Sequence, residues 1–151
     1  MTEAPFWTRV VLPALLRHAR TTYGSAMRRA LAEIDCDDVP RNGLYVIGAL
    51  ANNQMALADV IRDLGVSKQT AGQLVDTLVL RGYLEREVDP EDRRRLTVAL
   101  TERGKAAAAA QTKAREMIDA QLIERLGAEK IEHAREVLGT LIEMHHEGEA
   151  A

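Results

Sequence analysis

Between residues 56 and 104 the hydrophobic period changes from that of a helix to that of a strand and back, and this switch constrains the fold most. Leu57, Val60, Ile61 and Leu64 recur at three- and four-residue steps, which predicts a short amphipathic helix over 56–64. Gly65 and Val66 allow only a tight turn, and Ser67 is a good N-cap for a second helix over 67–81. In that helix Ala71, Leu74, Val75 and Leu78 share one face, leaving Lys68, Gln69, Gly72, Gln73 and Asp76 on the other. Gly82 ends it, as glycine commonly does just past a helix. The period then becomes two: in the segment 95–100, Leu96, Val98 and Leu100 alternate with Arg95, Thr97 and Ala99. With 83–88 this predicts a strand pair joined by Asp89-Pro90-Glu91-Asp92-Arg93-Arg94. Thr101 can cap the helix that follows.

The flanks are helical. In 6–34, Leu12, Leu15, Leu16, Ala19, Tyr23, Met27, Ala30 and Ile34 form one apolar stripe, with a kink or break expected at Pro13. A polar loop over 35–42 leads to a short helix over 43–50 and a turn over 51–54. After the hairpin, a helix runs through the alanines 106–110 to about residue 126, and Gly127 breaks it. A last helix over 128–146 sets Ile131, Ala134, Leu138, Leu141 and Ile142 on one side, and no other helix of the chain is long enough to cover that side fully. A partner chain is the natural cover, so a homodimer is expected.

Composition narrows the function. With 151 residues, 46% hydrophobic and 28% charged, the chain reads as one globular domain, and aromatic residues make up only 3%, so the fold class is mainly α with a small β-hairpin. No apolar run reaches the ~20 residues of a membrane span, and the N-terminus does not resemble a signal peptide, so the expectation is cytoplasmic, with no membrane partner. One cysteine, Cys36, excludes an intramolecular disulfide and a multi-cysteine zinc site. A phosphate-cradling glycine loop, a histidine pair at zinc spacing and a nucleophile with its base are all missing, so no catalytic residue, metal or cofactor is expected. The net charge of −3 is segregated: 4–32 holds five arginines and no acid, whereas Glu132, Glu136, Glu143, Glu147 and Glu149 crowd the end. What matters to a polyanionic partner is where the charges lie.

A helix whose first turns are polar and outward can enter the major groove of DNA, about 12 Å wide. Ser67, Lys68, Gln69, Thr70 and Gln73 are the candidate contacts, lysine suiting a phosphate or guanine and glutamine suiting adenine. The hairpin tip reads as a wing in which Arg93 and Arg94 reach the backbone or minor groove, where negative potential is concentrated. Asp92 is given the role of orienting a guanidinium through a salt bridge.

At these residues the chain resembles the multiple-antibiotic-resistance regulator (MarR) family of winged helix-turn-helix regulators. The resemblance lies in Leu57-Ala58-Asp59, Leu64-Gly65-Val66-Ser67, Leu74-Val75-Asp76, Arg81-Gly82-Tyr83-Leu84-Glu85-Arg86, the wing tip 89–94 and Leu100-Thr101-Glu102-Arg103-Gly104. It implies a dimer built from a helical dimerisation region at 5–34 and 104–147, with a reading lobe at 43–103 in each copy, and repression of nearby genes. Release would follow binding of a small phenolic or anionic molecule between lobe and dimer base. It also implies that the pair Asp92 and Arg94 puts the arginine in the minor groove. His18, Tyr23, Met27 and Tyr45 are the candidate effector-pocket residues, with ordinary core packing as the competing reading. Some relatives switch by oxidation of a cysteine within the first helix, but Cys36 follows that helix and is flanked by Asp35, Asp37 and Asp38, which disfavour a reactive thiolate. A winged helix used only to bind protein is the other alternative.

Overall fold

The computed structural model describes residues 3–52, 56–94 and 96–151, Leu96 by its backbone alone. The elements run α1 (Leu12–Ala32), α2 (Gly43–Ala51), α3 (Leu57–Leu64), α4 (Lys68–Leu80), β1 (Leu84–Val88), β2 (Leu96–Leu100), α5 (Glu102–Leu126) and α6 (Ala128–Ala150), after a short 3-10 turn, Phe6–Arg9. The chain is thus mainly helical with one antiparallel hairpin, as the periodicity predicts. It divides into two compact units, 1–115 and 116–151, with the boundary inside α5.

Pro13 accounts for the separation of α1 from the 3-10 turn. It occupies the first turn of α1, behind Val11 as N-cap, where an amide N–H has no intrahelical acceptor to lose. The expected break is therefore a helix start. Residues 53 and 54 of the predicted turn lie outside the described residues, as do Met55 and Arg95.

The core of the first unit is made by Leu31, Val46, Ile47, Val60, Leu74, Leu78, Tyr83, Leu84, Ala107 and Ala108, from α1 through to the first turns of α5. Cys36 belongs to this core, 2% exposed. The hairpin is held in the register Leu84↔Leu100, Arg86↔Val98 and Val88↔Leu96, which puts Leu84 in the core and leaves the rest of β1 exposed. A wing built this way is anchored at its base and open at its tip.

Two glycines are dictated by geometry. Gly82 has φ +79, and the turn it makes closes α4: its N–H donates to the Val79 carbonyl at 3.0 Å and that of Tyr83 to the Leu78 carbonyl at 2.9 Å. That is the paired bonding of a Schellman cap, with Leu78 and Tyr83 fully buried. Gly104 answers to close approach instead, since a Cβ there would lie 2.1 Å from the Tyr83 carbonyl oxygen. The same carbonyl accepts the Thr101 N–H at 3.1 Å, and Thr101 Oγ1 accepts the Gly104 N–H at 3.1 Å as the expected cap of α5. The first turn of α5 therefore sits directly on the start of the wing.

The second unit holds the rest of α5 and α6, and its apolar side chains are largely uncovered. Met117, Ile123, Leu126, Val137, Leu138, Leu141, Ile142 and Met144 are all exposed. These side chains leave an apolar surface on the second unit that this chain does not cover.

Candidate nucleic-acid interface

The predicted reading helix is α4. Ser67 caps it, its Oγ accepting the Thr70 N–H at 3.1 Å and donating to Thr70 Oγ1 at 2.9 Å. Ser67 and Thr70 thus spend part of their hydrogen-bonding capacity on the helix start. Ala71, Leu74, Val75 and Leu78 are buried, and Ser67, Lys68, Gln69, Thr70, Gly72, Gln73 and Asp76 are exposed, in the phase the spacing predicts. Replacing Ser67 with Ala removes the cap, and we expect a loss of about 1 kcal/mol of stability. Urea unfolding of the two proteins checks this, and an unchanged midpoint would mean the cap contributes nothing.

The wing tip is fixed by two side-chain-to-backbone turns. Asp89 Oδ1 accepts the Glu91 N–H at 2.9 Å, and Asp92 Oδ1 accepts the Arg94 N–H at 3.0 Å. Aspartate favours this arrangement because its carboxylate reaches the amide two residues on. The contact Asp92 makes to Arg94 is therefore to its main chain, not the guanidinium salt bridge expected from the sequence. It sets the direction in which the Arg94 side chain leaves the turn. Arg93 and Arg94 are both exposed.

Several arginines are engaged in the fold. Arg28 donates to the Val39 carbonyl at 3.1 Å, and Arg62 pairs with Asp59 at 3.0 Å. Arg86, on β1, pairs with Asp76 on α4. Sequence reasoning left Asp76 as a bare acid on the outward face; the structure gives it a cation and ties the reading helix to the wing. Both partners are substantially exposed, so the pair adds under about 1 kcal/mol of stability, and its effect is to mask a charge hostile to phosphates. Arg81 and Arg103 are consumed at Asp38 and at main-chain carbonyls. Among the described residues, Lys68, Arg93 and Arg94 have no such side-chain partner.

A cleft of about 290 Å³ opens in the same unit, lined by Arg20, Asn42, Tyr45, Asp63 and Leu64. Of the residues predicted for an effector pocket, Tyr45 lines it. Tyr23 and Met27 are half-buried on α1, and His18 is exposed about half a helical turn round from Arg20. The charged pair Arg20 and Asp63 escaped the sequence reading because neither belongs to an apolar stripe or a motif.

Residues 37–95 match the model of the MarR family. No curated protein matches the chain. Among solved structures, the S. aureus MepR–DNA complex is 20% identical, covers 89% of this chain and 98% of its own, and superposes with a TM-score of 0.69. The transcriptional regulator PA4135 is 24% identical over 89% of this chain and 97% of its own, with a TM-score of 0.66. S. aureus MepR bound to ethidium bromide is 20% identical over 91% and 98%, with a TM-score of 0.58. The MarR family model thus matches the segment from α2 to the wing tip, and that segment is set in a winged-helix fold that these regulators share along most of the chain's length.

Proposed function

We propose that the protein is a cytoplasmic transcriptional regulator, not an enzyme, that binds a pseudo-palindromic operator in double-stranded DNA as a homodimer. The observation that carries this reading is the pairing, within one unit, of a capped helix whose first turns expose Lys68, Gln69 and Gln73 with a hairpin whose tip exposes Arg93 and Arg94. Lys68, Gln69 and Gln73 enter the major groove, Ser67 and Thr70 approach the phosphates, and Arg94, with Arg93 beside it, reaches the neighbouring minor groove. The MepR–DNA complex, similar in fold, supports the assignment to DNA.

Dimerisation is supported by uncovered apolar side chains at both ends of the chain, including Trp7 at 56% exposure and Ile142 at 59%. A two-fold dimer presents two reading helices, so its half-sites lie about one helical turn, ~10 bp, apart. The protein acts as a repressor released by a small effector. The cleft at Arg20, Asn42, Tyr45 and Asp63 supports an aromatic ring against Tyr45 and an anionic group against Arg20, in keeping with a phenolic or anionic ligand.

The test is binding of the purified protein to DNA from upstream of its own gene, across a range of salt. We expect two chains per site and an affinity that falls steeply with salt, as phosphate neutralisation requires. Salt-independent behaviour, with no preference over random duplex, would favour a protein-binding module.

A further inference from the structure

Asp38 lies between α1 and α2, away from the outward face of α4 and the wing tip, yet residues from the end of α4, from the start of β1 and from α5 meet on it. Its Oδ1 accepts a hydrogen bond from the Tyr83 hydroxyl and another from Arg103 Nη2 at 3.1 Å. Its main-chain carbonyl accepts from Arg81 Nη1. Arg103 also donates to the Arg81 carbonyl and, at 3.0 Å, to the Asp35 carbonyl, and its guanidinium lies 4.4 Å from the centre of the Tyr83 ring. Arg81 is the C-cap of α4, Tyr83 leads into β1, and Arg103 is in the first turn of α5. One residue along, the Val39 carbonyl takes the Arg28 bond from α1.

We propose that Asp38 is a positioning residue for DNA reading: by gathering Arg81, Tyr83 and Arg103 it fixes the angle between the reading helix and the wing. This rests on the DNA-binding reading above. A groove-spanning reader needs its helix and its wing held at one separation, because two contacts joined by a loose hinge lose the advantage of being linked. The Arg86–Asp76 pair joins helix and wing further out, on exposed side chains, whereas the Asp38 cluster holds them at their buried root around Tyr83.

The protonation states suit the task. The Tyr83 hydrogen bond, opposed by partial burial and aided by the Arg103 charge, holds the Asp38 carboxyl below its ordinary range. Burial, and then the bond to Asp38, raise the Tyr83 phenol above the tyrosine range. Asp38's lowered pKa makes its contribution complete above about 3.9 and lost as pH falls through its folded value. That of Tyr83, with its raised pKa, is complete below about 10 and lost as pH rises through its folded value. At neutral pH the donor and acceptor are both in place.

The test compares wild type with Asp38→Asn, Tyr83→Phe and the double variant, on upstream DNA and on random duplex of equal length. Tyr83→Phe keeps the ring and its stacking, so it carries the test should Asp38→Asn fail to fold. We expect each single variant to lose about tenfold in affinity for the specific site, with random-duplex binding unchanged. The double variant should lose no more than the worse single, because both act through one contact. Ultraviolet titration of Asp38→Asn should show a tyrosine ionising at lower pH than in wild type, reporting the broken bond. Specific affinity equal to wild type in both single variants would overturn the proposal and leave the DNA reading intact. A parallel loss on specific and random DNA, together with thermal stability, would overturn it in favour of a purely structural role. Wild type without any preference for the upstream site would overturn the DNA reading and this proposal together.

Discussion

Gly104→Ala should cost about 3 kcal/mol or more and lower the thermal midpoint by about 10 °C, although it adds a single methyl group to a helix. Elsewhere in a helix the same change is favourable, because alanine gains roughly 1 kcal/mol over glycine in helix propensity. At Gly104 the added carbon would stand 2.1 Å from the Tyr83 carbonyl oxygen and 3.0 Å from Leu100 Cδ2. The carbonyl belongs to backbone that also accepts the Thr101 N–H, so it cannot move without opening the junction between wing and α5. Gly24→Ala provides the opposite sign. It lies within α1 with nothing within 4 Å of the new carbon, and should leave stability unchanged or raise it. Calorimetry of both variants at one protein concentration separates the cases, since association makes a midpoint depend on concentration. A Gly104→Ala protein as stable as wild type would mean that the first turn of α5 does not rest on Tyr83.

Arg94→Ala should leave the fold untouched and weaken specific DNA binding by about 10- to 100-fold, the worth of roughly 1–3 kcal/mol for one well-placed arginine. Arg94 is exposed at the tip, and the hydrogen bond that fixes its turn uses its backbone N–H, which alanine keeps. Thermal stability should therefore match wild type while affinity falls, and the dependence of affinity on salt should become shallower by about one unit of slope. Asp92→Asn gives a graded control: the amide oxygen still accepts the Arg94 N–H, so its effect should be well below that of Arg94→Ala. Equal binding by wild type and Arg94→Ala would remove the wing from the interface and leave α4 to act alone.

How much of this was legible in advance differs by element. The phase of α4 was open to reading because one row of apolar residues at helical steps suffices to say which side is covered, and Ala71, Leu74, Val75 and Leu78 are that row. The hairpin was equally plain, since alternation in 95–100 and a turn rich in aspartate, proline and arginine admit few other conformations. The cleft was harder to foresee. Of His18, Tyr23, Met27 and Tyr45, only Tyr45 lines the cleft found, because a cleft forms where three helices converge and no single stripe encodes that point. The hydrogen bond of Asp92 to a backbone amide, in place of a guanidinium, was also beyond reach, because both choices use the same residues at the same spacing.

The sequence by itself determined the order of elements, the face each helix buries and the local chemistry of the caps and turns, since all of these depend on residues within a few positions of one another. Ser67, Gly82 and Thr101 are of this kind. Only the tertiary structure decided the long-range partners: Arg86 for Asp76, the Tyr83 carbonyl against Gly104, and Tyr83, Arg81 and Arg103 gathered on Asp38 from up to 65 residues away. Such contacts depend on how helices and hairpin pack, and a charged or polar residue has no periodic signature to announce its partner. The same packing uses Arg81, Arg86 and Arg103 to join the elements and leaves Lys68, Arg93 and Arg94 exposed, with no side-chain partner among the described residues, on the helix start and hairpin tip that make the candidate surface for DNA.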